Sequence, residues 1–159
     1  MSARLVKAGA VFALIGMLAS GPFAALAQEA AGQRSPSLYN RLGGLPAISV
    51  VVSDFIDALV LDGELNRNPA IDAARQRVPA PYLKYHVTAM VCQATGGPCQ
   101  YHGRAMLESH AHLNITAAEW DRMAAIFSEV LAKHGVPETE TQELFDIVGS
   151  TKGDIVAAN

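Results

Sequence analysis

Cys92, Cys99, His102, His110 and His112 fall within 21 residues of one another. Thiolate and imidazole are the donors that copper, zinc and iron prefer, so this crowding of types points first to transition-metal chemistry. The segment that carries them, CQATGGPCQYHGRAMLESHAHLNIT, also holds a Gly96-Gly97-Pro98 break and the starts of two helices. The ligand spacing matches no tight zinc box of paired ligands two to four residues apart. The chain has no HExxH, phosphate-binding loop or GxGxxG motif, and no Ser/His/Asp order for nucleophilic catalysis. One further imidazole, His86, lies on a helical pattern just before the glycine break.

The elements that must position these donors are helical. Leu38 to Gly44 reads as a short helical turn ended by two glycines, and Pro46 opens a helix, where its fixed φ suits the first turn. In that helix Ile48, Val51, Val52, Phe55, Ile56, Leu59 and Val60 recur at i, i+3, i+4 spacing until Asp62-Gly63. Pro69 and the run Val78-Pro79-Ala80-Pro81 break residues 65–80, leaving a turn or two over 70–77. A helix is predicted over Tyr82–Thr95, with Leu83, His86, Val87, Met90 and Val91 on one face, and a short one over Arg104–His112. Thr116 with Glu119 three residues on makes a capping box for a helix over Ala117–Lys133, which closes at His134-Gly135. A last helix is predicted over Glu138–Gly149. With no alternating strand pattern and no internal repeat, the fold class is all-α.

The first residues have a separate purpose. Arg4 and Lys7 form a positive n-region, Val11 to Leu18 an apolar h-region, and Ala25-Leu26-Ala27 a small-x-small cleavage site. Residues 1–27 are therefore expected to be a signal peptide, 28–37 a flexible leader and 38–159 the functional domain, exported across the inner membrane to the periplasm. Cleavage removes two positive charges and no acidic residue, which moves the net charge from −3 to −5. A mildly acidic domain offers no electrostatic footprint for nucleic acid or for an anionic membrane surface. In an oxidising compartment Cys92 and Cys99 are either bridged or two buried thiols, because spacing alone does not fix their Cα separation.

Several islands resemble group 1 truncated haemoglobins. They are Leu38-Tyr39-x-Arg41-Leu42-Gly43-Gly44, Val51-Val52-x-Asp54-Phe55, and Gly96-Gly97-Pro98 followed by Tyr101-x-Gly103-Arg104-x-Met106. His110 with Leu113-x-Ile115-Thr116, and later Gly135-Val136-Pro137, complete the set. The resemblance implies a two-over-two α-helical sandwich around b-type haem, binding oxygen, nitric oxide or carbon monoxide. It makes His110 the proximal iron ligand and His86 a distal residue able to act as a sixth ligand. It places Phe55, Ile56, Leu83, Val87, Met90, Met106, Trp120 and Met123 around the haem, with Leu107, Ile115 and Phe127 beside them, and Arg104 or Lys84 near the propionates. It implies a gas-binding or transport protein rather than a dedicated enzyme, with an electron-transfer partner where the role is redox.

The chain departs from the family pattern at named positions. Ile56 stands where the family presents a tyrosine that donates to bound oxygen, and Asn68-Pro69 stands where it presents a haem-packing phenylalanine. Residues 66–82 are longer than usual, and Val87 supplies no donor. No Cys-x-x-Cys-His indicates covalent c-type attachment. Two readings from other classes compete: a periplasmic copper- or zinc-binding protein using the cysteines and histidines, and a helical interaction domain without haem.

Overall fold

The computed structural model describes residues 35–157, so the expected signal peptide and residues 28–34 of the leader lie outside the described residues. The side chain of Ser37 accepts from the Asn40 amide and starts α1 (Leu38–Arg41). Gly43, at φ 89°, occupies the left-handed region that side chains avoid and turns the chain into α2 (Gly44–Leu61), two residues ahead of Pro46. Asp62 ends α2 and uses its Oδ1 to accept the amides of Glu64 and Leu65, at 3.1 and 2.8 Å, shaping a 3-10 turn over Leu65–Arg67. Asn68 then caps α3 (Pro69–Arg77), with Pro69 at the helix start where a missing N–H costs nothing. That helix is longer than the turn or two read from the sequence.

The same use of proline carries α4 (Ala80–Ala94) two residues upstream of its expected start. The short helix after the glycine break is trimmed at both ends to α5 (Met106–His110). At its start the Arg104 carbonyl is taken by the Tyr101 hydroxyl at 2.8 Å, and at its end a turn forms as the Leu113 amide bonds the His110 carbonyl at 2.8 Å. The helices α6 (Ala117–Lys133) and α7 (Glu138–Gly149) have the expected bounds, and α6 carries the full capping box of Thr116 and Glu119. A further helix, α8 (Lys152–Ile155), was not foreseen. After it Val156 forms an isolated parallel bridge with Ile115, and the Ala157 amide bonds the Ile115 carbonyl at 2.8 Å.

Among the described residues the architecture is all-α, as expected, with that bridge as its one extended pairing. The long helix α2 packs on both α4 and α6. Ile48, Val52 and Ile56 seal α2 against Leu83, Val87 and Val91 of α4. Phe127 and Leu131 of α6 meet Leu144 of α7 and Leu38 of α1, and Leu65 joins Ile126 and Val130. Phe55 touches all three clusters, and its ring lies 5.1 Å from that of Phe127. Burial on this scale drives the assembly, at about 1.5–3 kcal/mol for each large apolar side chain removed from water.

Two of the sequence islands meet physically. The Tyr39 amide bonds the Thr95 carbonyl at 2.8 Å, the Tyr39 hydroxyl accepts from the Leu45 amide at 3.0 Å, and the ring lies against Gly97. A Cβ at Gly97 would overlap both that ring and the Cys92 carbonyl, so the position tolerates only glycine. Ion pairs close the exterior: Arg41 holds Glu140 and Glu143 of α7, Asp54 holds Lys133 and His134, and Asp62 holds Arg122.

Candidate functional site

His110 is the last residue of α5 and is half-buried. Its Nδ1 lies 2.9 Å from the Met106 carbonyl oxygen, one helical turn back. A carbonyl only accepts, so Nδ1 carries the proton and Nε2 keeps its lone pair. This is the tautomer that an imidazole needs in order to bind a metal, with its ring oriented by the second nitrogen. The helix that presents it packs against α8, and the loop after it is pinned at Ile115 by Val156 and Ala157.

His86 lies on α4 with its ring set among tyrosines. Ring centroids stand 4.3 Å away for Tyr82, 5.0 Å for Tyr85 and 6.0 Å for Tyr101. Its Nδ1 is buried and has no hydrogen-bond partner. A buried polar atom left unpaired costs about 1–3 kcal/mol, so this imidazole is held in place by its ring contacts and not by a hydrogen bond at Nδ1. Tyr101 comes from the loop between α4 and α5 and was not singled out as a neighbour of His86. Tyr82, one turn before His86, and Tyr85, next to it in the chain, come from the same helix as His86.

The remaining sequence-predicted residues divide into two groups. Phe55, Ile56, Leu83 and Val87 belong to the interior between α2 and α4, with Ile56 only 5% exposed. Met90, Met106 and Met123 are half-buried and, among the described residues, belong to none of the three core clusters. Trp120 is buried, with Lys152 5.6 Å above its ring, while Leu107 is exposed. Flexible thioethers outside the packed core suit a slot for a flat apolar group. Lys84 pairs with Asp57 at 2.7 Å, and Arg104 is exposed. An apolar cavity of about 50 Å³ between α2, α4, α6 and α7 is walled by Ile48, Val52, Val91 and Phe127, and neither histidine lines it.

Three sequence-level readings are corrected or completed. Cys92 and Cys99 form a disulfide, with Cα atoms 5.7 Å apart. Both thiolates are thereby removed from the donor set proposed for copper or zinc. Among the described residues no three His, Cys, Asp or Glu side chains are grouped to hold an ion, and His102 and His112 are exposed. Asn68, read from the sequence as replacing a haem-packing phenylalanine, has a structural duty. Its Oδ1 accepts from Ala70 at 2.9 Å to cap α3, and its Nδ2 donates to the Leu113 carbonyl at 3.0 Å, tying α3 to the loop after His110.

The profile of the Bacterial-like globin family matches residues 37–157. The chain belongs to that family. The globin is 35% identical over 121 residues to the group 1 truncated hemoglobin GlbN of Nostoc sp. (strain MUN 8820), which spans 76% of this chain and 97% of the relative. It is 34% identical to the corresponding protein of Nostoc commune, with the same coverage. Its fold is similar to the 2/2 hemoglobin of Synechococcus sp. PCC 7002, solved in the cyanomet state with covalently attached heme: TM-score 0.67, 25% identity, 76% of this chain and 98% of that one. It is also similar in fold to the truncated hemoglobin of Tetrahymena pyriformis in its Fe(III) form, with TM-score 0.64, 20% identity and 77% and 100% coverage. The two-over-two α-helical sandwich expected from the sequence is therefore the fold of this globin. Haem iron is the cofactor of the family and of this globin, and its ligand class is a diatomic gas. The reading as a helical domain without haem is set aside accordingly.

Proposed function

We propose that this globin holds b-type haem through Nε2 of His110 and places His86 on the distal side, facing the gas. The observation that carries the reading is the Met106 carbonyl on His110 Nδ1, which leaves Nε2 free as a donor. Bound haem supplies an iron site that takes a diatomic ligand and exchanges one electron. The chain's own residues do the rest. The Met106 carbonyl orients the proximal imidazole and raises its basicity. Met90, Met106, Met123 and Trp120 offer apolar surface that excludes water. His86, on α4, is a polar group available to contact the gas or to act as sixth ligand when none is present.

The choice of gas follows from the donors. Ile56, packed in the α2–α4 interface, has no hydroxyl to give, so the polar interaction on that side falls to α4, where His86 and Tyr85 are the available groups. This favours reversible binding of oxygen, nitric oxide or carbon monoxide and electron exchange with a protein partner, over rapid oxidation of nitric oxide on stabilised oxygen. The amino-terminal pattern of residues 1–27 and the Cys92–Cys99 disulfide support a periplasmic location, where such bridges persist. No membrane contact is needed after cleavage of the signal.

The test is a haem titration followed by absorption spectroscopy, with His110→Ala alongside. The expected result is one haem per chain and a Soret band that the variant loses or strongly shifts. An unchanged spectrum in His110→Ala removes His110 as the iron ligand.

A further inference from the structure

We propose that Tyr101 is a positioning residue for the distal histidine: it holds the His86 imidazole on the haem side of α4 and so sets how readily that imidazole occupies the iron. The inference rests on the reading of His86 as the distal residue and goes beyond it, because Tyr101 belongs to a different segment.

Tyr101 is fixed far more tightly than a loop residue needs to be. Its amide donates to Gln93 Oε1 at 2.6 Å, and its hydroxyl donates to the Arg104 carbonyl at 2.8 Å. Burial pushes the phenol above its ordinary pKa, so it remains a donor at any neutral pH. The loop that carries it is bound back to α4 by the Cys92–Cys99 bridge and by the Gly97 amide on the Cys92 carbonyl at 2.8 Å. Gly103 lies so close to the ring that a Cβ there would overlap it. These restraints all end in one contact, a ring edge set at 89° to His86 with centroids 6.0 Å apart. Edge-to-face pairs in this range are attractive and directional.

Tyr82 and Tyr85, at 4.3 and 5.0 Å, come from α4 itself and move with His86. Tyr101 is thus the contact that ties the imidazole to a second element. Without it the ring gains rotamer freedom and leaves the distal position more often. An aromatic pair of this kind corresponds to about a 2- to 10-fold change in an equilibrium between two positions.

The test uses the full haem-loaded protein with Tyr101→Ala, Tyr101→Phe, Gly103→Ala and His86→Ala, and Tyr101→Ala combined with His86→Ala. Haem stoichiometry, the low-spin fraction of the ferrous spectrum and the carbon monoxide association rate are read for each. Tyr101→Ala is expected to bind one haem, lose low-spin fraction and associate about 2–10 times faster. Gly103→Ala should shift the same way by displacing the ring, and Tyr101→Phe, which keeps the ring edge but loses the hydroxyl's bond to the Arg104 carbonyl, should shift the same way by less. In the His86→Ala background the Tyr101→Ala change should vanish. A Tyr101→Ala effect of equal size with and without His86 overturns the proposal, as does no effect where His86→Ala has one. A silent His86→Ala overturns both this inference and the distal reading beneath it.

Discussion

Reduction of the Cys92–Cys99 bridge is expected to lower the melting temperature of the apo-protein by about 8–10 °C. The two cysteines are seven residues apart, and closing so short a loop removes about 2–2.5 kcal/mol of chain entropy from the unfolded state. A domain of about 120 residues loses about 0.25 kcal/mol of stability per degree near its midpoint, which converts that energy into the stated shift. The folded state contributes little to the difference. Cys92 is fully buried, and the Gly97 amide bonds its backbone carbonyl, a contact that does not involve the sulfur. The assay is thermal unfolding followed by circular dichroism with and without a phosphine reductant, with Cys99→Ser as the chemical equivalent. A shift below about 3 °C would refute the reasoning, because it would mean that the Gly-Gly-Pro turn already restrains the unfolded chain as much as the bridge does.

Three further outcomes follow from the packing and the charges. Phe127→Ala removes a ring that stacks on Phe55 and Phe145 and should cost about 3–5 kcal/mol in chemical denaturation, well beyond a surface change. Thr116→Ala deletes the hydroxyl that caps α6 and should cost about 1 kcal/mol by the same measurement. Asp62 is held below the ordinary carboxylate pKa, first by its hydrogen bonds from Arg122. A depressed folded-state value gives stability that is fully present above the unfolded pKa of about 3.9 and is lost as pH falls through the folded value. Asp62→Asn should therefore lower stability at pH 7 and flatten its decline below about pH 4, and an equally steep acid decline in the variant would argue against this.

Where local chemistry decides the outcome, the sequence is sufficient. The Thr116–Glu119 box and Gly135 mark both ends of α6, and the proline after Gly135 marks the start of α7. The hydrogen bond that prepares His110 runs one turn back along its own helix, so it follows from the helix assignment. Where tertiary contacts decide, the pattern is silent. Nothing local to Lys152–Ile155, with a glycine inside it, announces a helix, because α8 exists by packing on α5. The meeting of Tyr101 with His86 depends on the path of a loop. Pairing of Cys92 with Cys99 depends on a distance. Ile56, Leu83 and Val87 were placed beside the haem by the family resemblance, and their spacing alone describes the core face that they form with Ile48 and Val52.

The bridge between Ile115 and Val156 has a consequence for the order of assembly. Residues 152–157 hold the loop just after His110, yet they are synthesised after every helix they serve. His110 is therefore made before the segment that supports the loop beside it. On the proposed reading of His110 as the iron ligand, retention of haem depends on residues 152–157 as well as on the helix that bears the ligand. A protein ending at Gly149 should keep its helical spectrum and release haem faster than the full chain, and equal release rates would rule out this dependence.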